Sequence, residues 1–216
     1  MEIFRFVFSP IEVNTYILAD KDGKCAVIDC GCYSKGDFER FTGFLEKKNL
    51  EPVLLLNTHC HFDHIFGNRR LLEKYGLGAF CHKEEEMNRR NSGQYALFFG
   101  LTMDTPPEPA GLIDDGQNIS FGSVSLRALH VPGHSPGSLA FYCEAEKVVF
   151  TGDALFAGSI GRTDIPGGSL DALLNSIRTK LFVLPRETVV YPGHNESTTI
   201  GEEMKSNPYF QLTGNK

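Results

Sequence analysis

The chain has 216 residues, of which 41% are hydrophobic, and carries a formal net charge of −6. This length and composition are sufficient for a sizeable core within one domain covering residues 1–216. An acidic chain offers no basic face for a phosphate backbone, so we expect no nucleic-acid partner. No apolar run approaches membrane-spanning length, and residues 1–6 lack the basic start of a signal peptide. The sequence therefore predicts a cytoplasmic protein without a membrane partner.

The first half of the chain predicts strands followed by alternating helices and strands. Period-two alternation between turn signals such as Ser9-Pro10 indicates strands, and Phe38, Phe41 and Phe44 at helical spacing indicate a helix. In chain order, the expected elements are strands at 2–8, 13–19 and 25–29, a helix at 36–48, a strand at 52–57, a helix at 68–75 and a strand at 78–82.

The second half echoes the first. Its expected elements are strands at 119–121, 123–131, 138–144 and 147–151, a helix at 169–182, a strand at 188–191 and a short helix at 199–206. Two strand-rich halves can stack sheet on sheet and cover both outer faces with helices, which favours an α+β fold.

The segment 83–111 stands apart from both halves. It contains a charged helical piece, then Tyr95, Phe98 and Phe99, then a proline-rich stretch at 106–109. A connection of this length is typical of a lid or binding loop, and it is equally consistent with a solvated excursion anchored by its aromatic residues.

The most informative stretch, residues 58–64, directly follows the apolar run 52–56. It reads Thr-His-Cys-His-Phe-Asp-His and so offers several potential metal ligands within six residues, at the mouth of a buried strand. In an extended segment, side chains two residues apart point to the same side. His59 and His61 can therefore share one metal, while Asp63 and His64 turn to a neighbouring metal.

Three more ligand-type residues occur just after predicted strands, each directly preceded by a glycine. They are His134, Asp153 and His194, and the glycine lets the backbone turn sharply before each of them. Five of the seven histidines thus fall at strand ends, whereas we interpret His82 and His130 as ordinary core or surface residues. Imidazoles and carboxylates without cysteine pairs suit zinc, iron or manganese.

A competing motif is the serine nucleophile elbow, G-x-S-x-G, which residues 133–137 formally match. The elbow needs the backbone N–H of the residue after the serine for its oxyanion hole. Here that residue is Pro136, which has no N–H, so Ser135 is a poor candidate nucleophile.

The complete pattern resembles the metallo-β-lactamase superfamily, whose H-x-H-x-D-H signature stands at 59–64 with the later His and Asp residues all present. The resemblance implies a four-layer αβ/βα sandwich of two mixed sheets flanked by helices, with a binuclear site. Carried over by position, the ligands would be His59, His61 and His134 for one metal, Asp63, His64 and His194 for the other, and Asp153 as the bridge. Asp29 matches the structural aspartate of the superfamily, behind the ligands.

Within the superfamily, the chain is most similar to short glyoxalase II-like hydrolases, through residues 151–156, 161–168 and 192–208. This resemblance implies hydrolysis of thioesters of the S-lactoylglutathione type by a metal-bridging hydroxide. The resemblance implies two divalent metal ions as cofactors, zinc foremost. It also implies that Asp63 is a metal ligand that can accept the proton of the attacking water. The chain is too short for the C-terminal helical domain that binds glutathione in the long enzymes.

Other interpretations stay open at the level of sequence. Arg162, in a glycine-rich loop, can bind a substrate carboxylate or brace the loop through Asp164. The motif at 161–164 also resembles persulfide dioxygenases of the superfamily, which use one iron held by two His and an Asp. A non-catalytic metal-binding module is a further alternative. We expect a small-molecule thioester as partner and either a monomer or a homodimer.

Overall fold

The structure, a computed structural model, describes residues 1–211. The first six-stranded sheet within this range contains, in spatial and chain order, β1 (Glu2–Phe8), β2 (Val13–Ala19), β3 (Lys24–Ile28), β4 (Glu51–Leu56), β5 (Ala79–Cys81) and β6 (Gly111–Leu112). Strands β1 to β3 form an antiparallel meander, and β3 to β6 run parallel to one another. The first sheet is therefore mixed.

The remaining strands begin at residue 118. They are β7 (Asn118–Phe121), β8 (Val124–His130), β9 (Leu139–Cys143), β10 (Val148–Gly152), β11 (Leu155–Phe156), β12 (Ser159–Ile160), β13 (Val189–Pro192) and β14 (Thr198–Thr199). The second sheet has the order β14-β13-β10-β9-β8-β7 and is also mixed, because β10 and β13 are parallel while its other pairs are antiparallel. Strands β11 and β12 pair as a small separate hairpin.

Helices connect these strands and cover the sheets. They are α1 (Lys35–Lys48), α2 (Asn68–Tyr75), α3 (Glu86–Phe98), α4 (Leu170–Ser176), which continues as a π-helical turn over Ile177–Leu181, α5 (Ile200–Ser206) and α6 (Pro208–Gln211). No helix within residues 1–211 is long and apolar enough to cross a membrane.

Strand β2 shows how the layers arise, because all seven of its residues are buried. Tyr16 and Leu18 point toward the second sheet, where Phe141 and Phe150 pack in the same core. Ile17, on the opposite face of β2, packs beneath the helices instead. Since successive side chains of a strand point to opposite faces, a strand buried on both faces must lie between two layers.

The two outer layers are helical. On the first sheet, Phe41 and Leu45 of α1 and Leu71 of α2 pack against the side chains of β1 to β4 that face away from the second sheet. On the second sheet, Leu173 of α4 and Ile200 of α5 pack in the same core as Ala140 and Val149 of β9 and β10. The predicted four-layer αβ/βα sandwich is therefore confirmed.

The charged helical piece predicted within the segment 83–111 is confirmed as the 13-residue helix α3, which extends past the charged residues through Tyr95 and Phe98. The proline-rich stretch that follows leads into edge strand β6. The predicted helix 169–182 is interrupted in its hydrogen-bond pattern, since its second half is the π-helical turn. The six cysteines are buried free thiols.

Candidate metal centre

The predicted ligands meet where the carboxyl ends of strands from both sheets come together. The loop 58–64 follows β4, and the later ligands follow β8, β10 and β13, so one edge of the sandwich receives them all. Hydrogen bonds hold these loops to each other: Leu139 N–H donates to the carbonyl of Thr58 at 2.7 Å, and Gly193 N–H donates to that of Gly152 at 2.8 Å. The site therefore depends on the packing of sheet on sheet.

The ligand atoms form two groups joined by one carboxylate. Donor atoms within 4.8 Å of one another belong to His59, His61 and His134 in one group and to Asp63, His64 and His194 in the other. Asp153 lies between them: its Oδ2 is 3.6 Å from His134 Nε2 and also 3.6 Å from His194 Nε2, and its Oδ1 is 3.4 Å from His64 Nε2. The structure thus brings all seven predicted residues together, with Asp153 within reach of both groups.

Four of the imidazoles are held through the ring nitrogen that faces away from the centre. The contacts are His59 Nδ1 with Thr58 Oγ1 at 3.1 Å, His64 Nδ1 with Asp29 Oδ2 at 2.9 Å, His134 Nδ1 with the Arg162 carbonyl at 2.9 Å and His194 Nδ1 with the Glu12 carbonyl at 3.1 Å. An outer partner that accepts from Nδ1–H leaves Nε2 as a lone-pair donor and fixes the ring orientation.

Three buried atoms of the candidate centre lack a hydrogen-bond partner, whereas His134 Nε2 and His61 Nδ1 contact each other at 2.9 Å. Within residues 1–211, the buried polar atoms without a hydrogen-bond partner include His59 Nε2, His64 Nε2 and Asp153 Oδ1. Leaving such atoms unpaired costs about 1–3 kcal/mol each, more for a charged group. Cations held on either side of Asp153 would give each of these atoms a partner, so the residues present fit divalent metal ions.

The electrostatics of the two groups differ. Burial, with the neighbouring His64 and His61, holds the pKa of His59 well below its ordinary value, and burial with His134 lowers the pKa of His61 to about 4. Both rings are therefore neutral near pH 7, the state in which imidazole binds metal. Burial opposes a charge on His64 as well, but Asp153 and the other nearby carboxylates outweigh it and raise the pKa of that ring.

Asp29 lies directly behind the ligands. Its carboxylate accepts hydrogen bonds from the backbone N–H of Thr58 at 2.8 Å and from Thr58 Oγ1 at 2.6 Å, in addition to the contact with His64. Its backbone is left-handed, with φ of 54°, which is uncommon for a residue other than glycine. Asp29 thus connects the end of β3 to the first and the last histidine of residues 59–64. It contacts His64 directly and His59 through Thr58.

Arg162 shows the bracing arrangement. Its guanidinium donates to both carboxylate oxygens of Asp164, from Nε at 2.9 Å and from Nη2 at 3.0 Å, and its side chain is exposed. The same residue offers its carbonyl to His134, so the loop 161–164 both positions a ligand and borders the site.

A pocket of about 400 Å³ opens above the centre. Its floor is made by His61, Asp63, His134, Asp153 and His194. One of its walls is helix α3, so the segment 83–111 lies against the site as a lid-like element.

Sequence reasoning missed Glu85, a fully buried carboxylate next to the centre. Its two oxygens accept from the backbone N–H groups of Cys60 and Gly137, both at 2.8 Å, from Ser135 Oγ at 2.6 Å and from Asn88 Nδ2 at 3.0 Å. Glu85 therefore joins the His59–His61 loop to the His134 loop. Since the run 83–86 reads Lys-Glu-Glu-Glu, only a contact across 50 residues of chain distinguishes Glu85 from its solvated neighbours.

Two earlier interpretations are clarified by these contacts. Ser135 is buried, and its hydroxyl donates to Glu85, which gives it a structural place in the loop. His82 and His130 lie outside the centre and stack with ring centroids 4.2 Å apart, with Glu84 close by. His130 Nε2 contacts the Pro136 carbonyl at 2.9 Å.

Comparison with known proteins identifies relatives of the whole fold. Residues 9–194 match the sequence profile of the metallo-beta-lactamase superfamily. The chain is 34% identical to the probable metallo-hydrolase YqgX of Bacillus subtilis, over 95% of this chain and 96% of that protein. It is 35% identical to the hydroxyacylglutathione hydrolase GloC of Haemophilus influenzae, over 97% of this chain and 98% of that protein.

Solved structures are similar over nearly the whole chain. The B3 metallo-beta-lactamase BLEG-1 superposes with a TM-score of 0.90 at 33% identity, over 97% of this chain and 100% of that one. TTHA1623 in a di-iron-bound form gives 0.87 at 35% identity, over 95% and 99%. ETHE1 from Myxococcus xanthus gives 0.79 at 26% identity, over 96% and 84%.

The first prediction concerns the backbone beside Asp153. A Cβ at Gly193 would stand 2.2 Å from Asp153 Oδ1 and 2.7 Å from His64 Cε1, so we expect Gly193→Ala to displace these ligands and lose bound metal. Metal content per chain, measured by mass spectrometry, checks this. The matched control is Gly43→Ala within α1, where a Cβ meets nothing within 4 Å. The control should keep full metal content; equal loading of both variants would contradict the geometry.

The second prediction concerns Glu85 as a positioning residue. Glu85→Gln replaces one acceptor oxygen by an NH₂ group that faces donors, so we expect metal affinity to fall about 10- to 100-fold while the chain stays folded. Competition against a chromogenic chelator measures the affinity, and circular dichroism verifies the fold. Glu84→Gln, at a neighbouring half-exposed carboxylate, is the control. Unchanged affinity in Glu85→Gln would show that the loops hold without this carboxylate.

Proposed function

Since the chain belongs to the metallo-β-lactamase superfamily, a superfamily of metallo-hydrolases, we propose that it hydrolyses thioesters of the S-lactoylglutathione type. The observation that carries this proposal is the convergence of seven His and Asp side chains, five of which form the floor of a pocket, while the Ser135 hydroxyl is hydrogen-bonded to Glu85. A relative named hydroxyacylglutathione hydrolase, similar over its full length, supports the choice of substrate.

The centre has donors for two divalent ions. His59, His61 and His134 would hold one, Asp63, His64 and His194 the other, and Asp153 lies within reach of both. Bound divalent ions supply Lewis-acid chemistry, since they lower the pKa of water toward 7 and polarise a carbonyl oxygen. Nitrogen and carboxylate donors suit zinc best among the common choices, and the similarity to a protein solved in a di-iron-bound form keeps iron as a candidate.

The overall reaction is RCO–SR′ + H₂O → RCOOH + R′SH. A carbon–oxygen bond forms from water and the carbon–sulfur bond breaks, with the electron pair leaving on sulfur. A thiol has a pKa of only about 8.5, so its thiolate leaves without a strong general acid. The protein therefore needs to supply positioning and a proton acceptor more than a nucleophile.

We assign acceptance of the proton of the attacking water to Asp63 Oδ2, because this carboxylate borders the pocket. Burial opposes ionisation of this carboxyl, but His64 and His194 outweigh burial and hold its pKa below the ordinary value. Asp63 is therefore an anion at neutral pH. Its Oδ2 lies 3.2 Å from His194 Nε2, which fixes the carboxylate toward the pocket floor.

Persulfide oxidation on a single iron is the second candidate. The similarities to ETHE1 and to a protein solved in a di-iron-bound form do not distinguish the two candidate reactions, because both of these proteins share the fold of this chain. The exposed loop 161–164, which resembles the dioxygenases, contributes to the centre through the carbonyl of Arg162. That contact serves a metal ligand in either reaction, so the products formed must separate the two candidates.

The third prediction tests the proposed reaction. Purified metal-loaded protein should hydrolyse S-lactoylglutathione, and the loss of thioester absorbance measures the rate. The kcat/KM of Asp153→Ala should be at least about a hundredfold lower, because this substitution removes the carboxylate between the two groups of ligands. Asp22→Ala, at an exposed turn far from the site, is the control. Oxygen consumption with a persulfide, without hydrolysis of any thioester, would overturn the proposal in favour of the second candidate.

A further inference from the structure

The walls of the pocket above the metal centre are almost entirely apolar. Among residues 1–211, the side chains that line it apart from the ligands and two polar groups are Ile11, Phe62, Tyr95, Phe98, Phe99, Ile165 and Pro166. The two polar groups are Asn88 and Arg162. A thioester reaching the centre must lay the rest of its length along these walls.

The aromatic wall presents uncovered surface to the pocket. Phe98 is 79% exposed and Phe99 56% exposed, although both lie at the end of α3 beside the site. Phe99 is backed by the buried Phe62, with ring centroids 5.1 Å apart. Apolar surface of this kind gains free energy when a ligand covers it, in proportion to the apolar area removed from water.

The same pocket offers little to a charged ligand. Arg162 is the one cationic side chain that lines it within the described part of the chain, and both oxygens of Asp164 already accept from that guanidinium. Nearby Arg89 on α3 is likewise engaged, by Glu86 and Glu108. The two carboxylates of a glutathione moiety would have to lie along aromatic walls and compete with Asp164 for the Arg162 guanidinium, at a cost in desolvation.

We propose that the pocket selects thioesters whose non-reacting portion is uncharged and apolar, of about the size of a benzyl group, over thioesters of glutathione. This inference rests on the proposed thioester hydrolysis and names the substrate class for it. The carbonyl faces the ligand floor, and the apolar portion lies between the end of α3 and the loop that carries Ile165. Phe98 is then a specificity-determining residue.

The test compares three substrates with one acyl group: S-lactoylglutathione, the diethyl ester of S-lactoylglutathione, and the S-lactoyl thioester of benzyl mercaptan. Esterification removes both carboxylate charges and keeps the glutathione skeleton with its ammonium group, so it tests the cost of bringing the carboxylates to the pocket. We expect kcat/KM to rise at least about tenfold from the first substrate to the second, and to be highest for the benzyl thioester. Equal or higher kcat/KM for S-lactoylglutathione would overturn the inference.

Substitution of the wall provides an independent arm. Phe98→Ala should raise KM for the benzyl thioester about tenfold, with kcat little changed, because it removes binding surface remote from the reacting bond. The control is Leu97→Ala, a neighbouring exposed apolar residue that does not line the pocket. Both side chains are largely exposed, so neither substitution opens the core. An equal effect of the two substitutions would exclude the proposed role of Phe98.

A binding measurement is independent of turnover. The benzyl thioether in which CH₂ replaces the carbonyl cannot be hydrolysed, and calorimetry should show it binding about tenfold more weakly to Phe98→Ala than to Leu97→Ala. Failure of the two proposals is distinguishable. Hydrolysis that favours S-lactoylglutathione overturns only the substrate class, whereas metal-loaded protein that hydrolyses none of the three thioesters overturns the proposed function.

Discussion

The central constraint on this structure is the burial of unpaired His and Asp side-chain atoms at the junction of two sheets. Unpaired imidazole nitrogens and carboxylate oxygens, such as those of His59, His64 and Asp153, are costly in a protein interior. Four of the five imidazole rings are fixed from behind, as His64 is by Asp29 and His134 by the Arg162 carbonyl. The fold thus holds the ligands in the orientation that a cation requires.

This constraint explains why the loops around the centre are bonded so closely. Glu85 ties the loop after β4 to the loop after β8, and it does so from the start of α3, whose far end carries Phe98 and Phe99. The helix that forms the apolar wall is therefore anchored at the metal ligands. A substrate that packs on this wall is positioned relative to the centre by one rigid element.

The sequence was sufficient for those features that local pattern determines. Alternation predicted strands such as β2, and the spacing of His and Asp singled out 59–64 and the three residues that follow glycines, which the structure brings together. It was insufficient where tertiary contacts decide. Glu85 differs from its charged neighbours in sequence only through its hydrogen bonds with Ser135 and Gly137, which the sequence does not show. Likewise, the ion pair of Arg162 with Asp164 depends on the conformation of the loop. The lid-like place of α3 required the same long-range information.

The most direct test of this account is the position and number of bound metal ions, measured by anomalous X-ray diffraction at the metal edge in crystals of the loaded protein. The account requires two peaks, one among His59, His61 and His134 and one among Asp63, His64 and His194. A single peak at full loading would contradict the binuclear centre and favour chemistry at one metal. Peaks outside these two groups would contradict the ligand assignment itself.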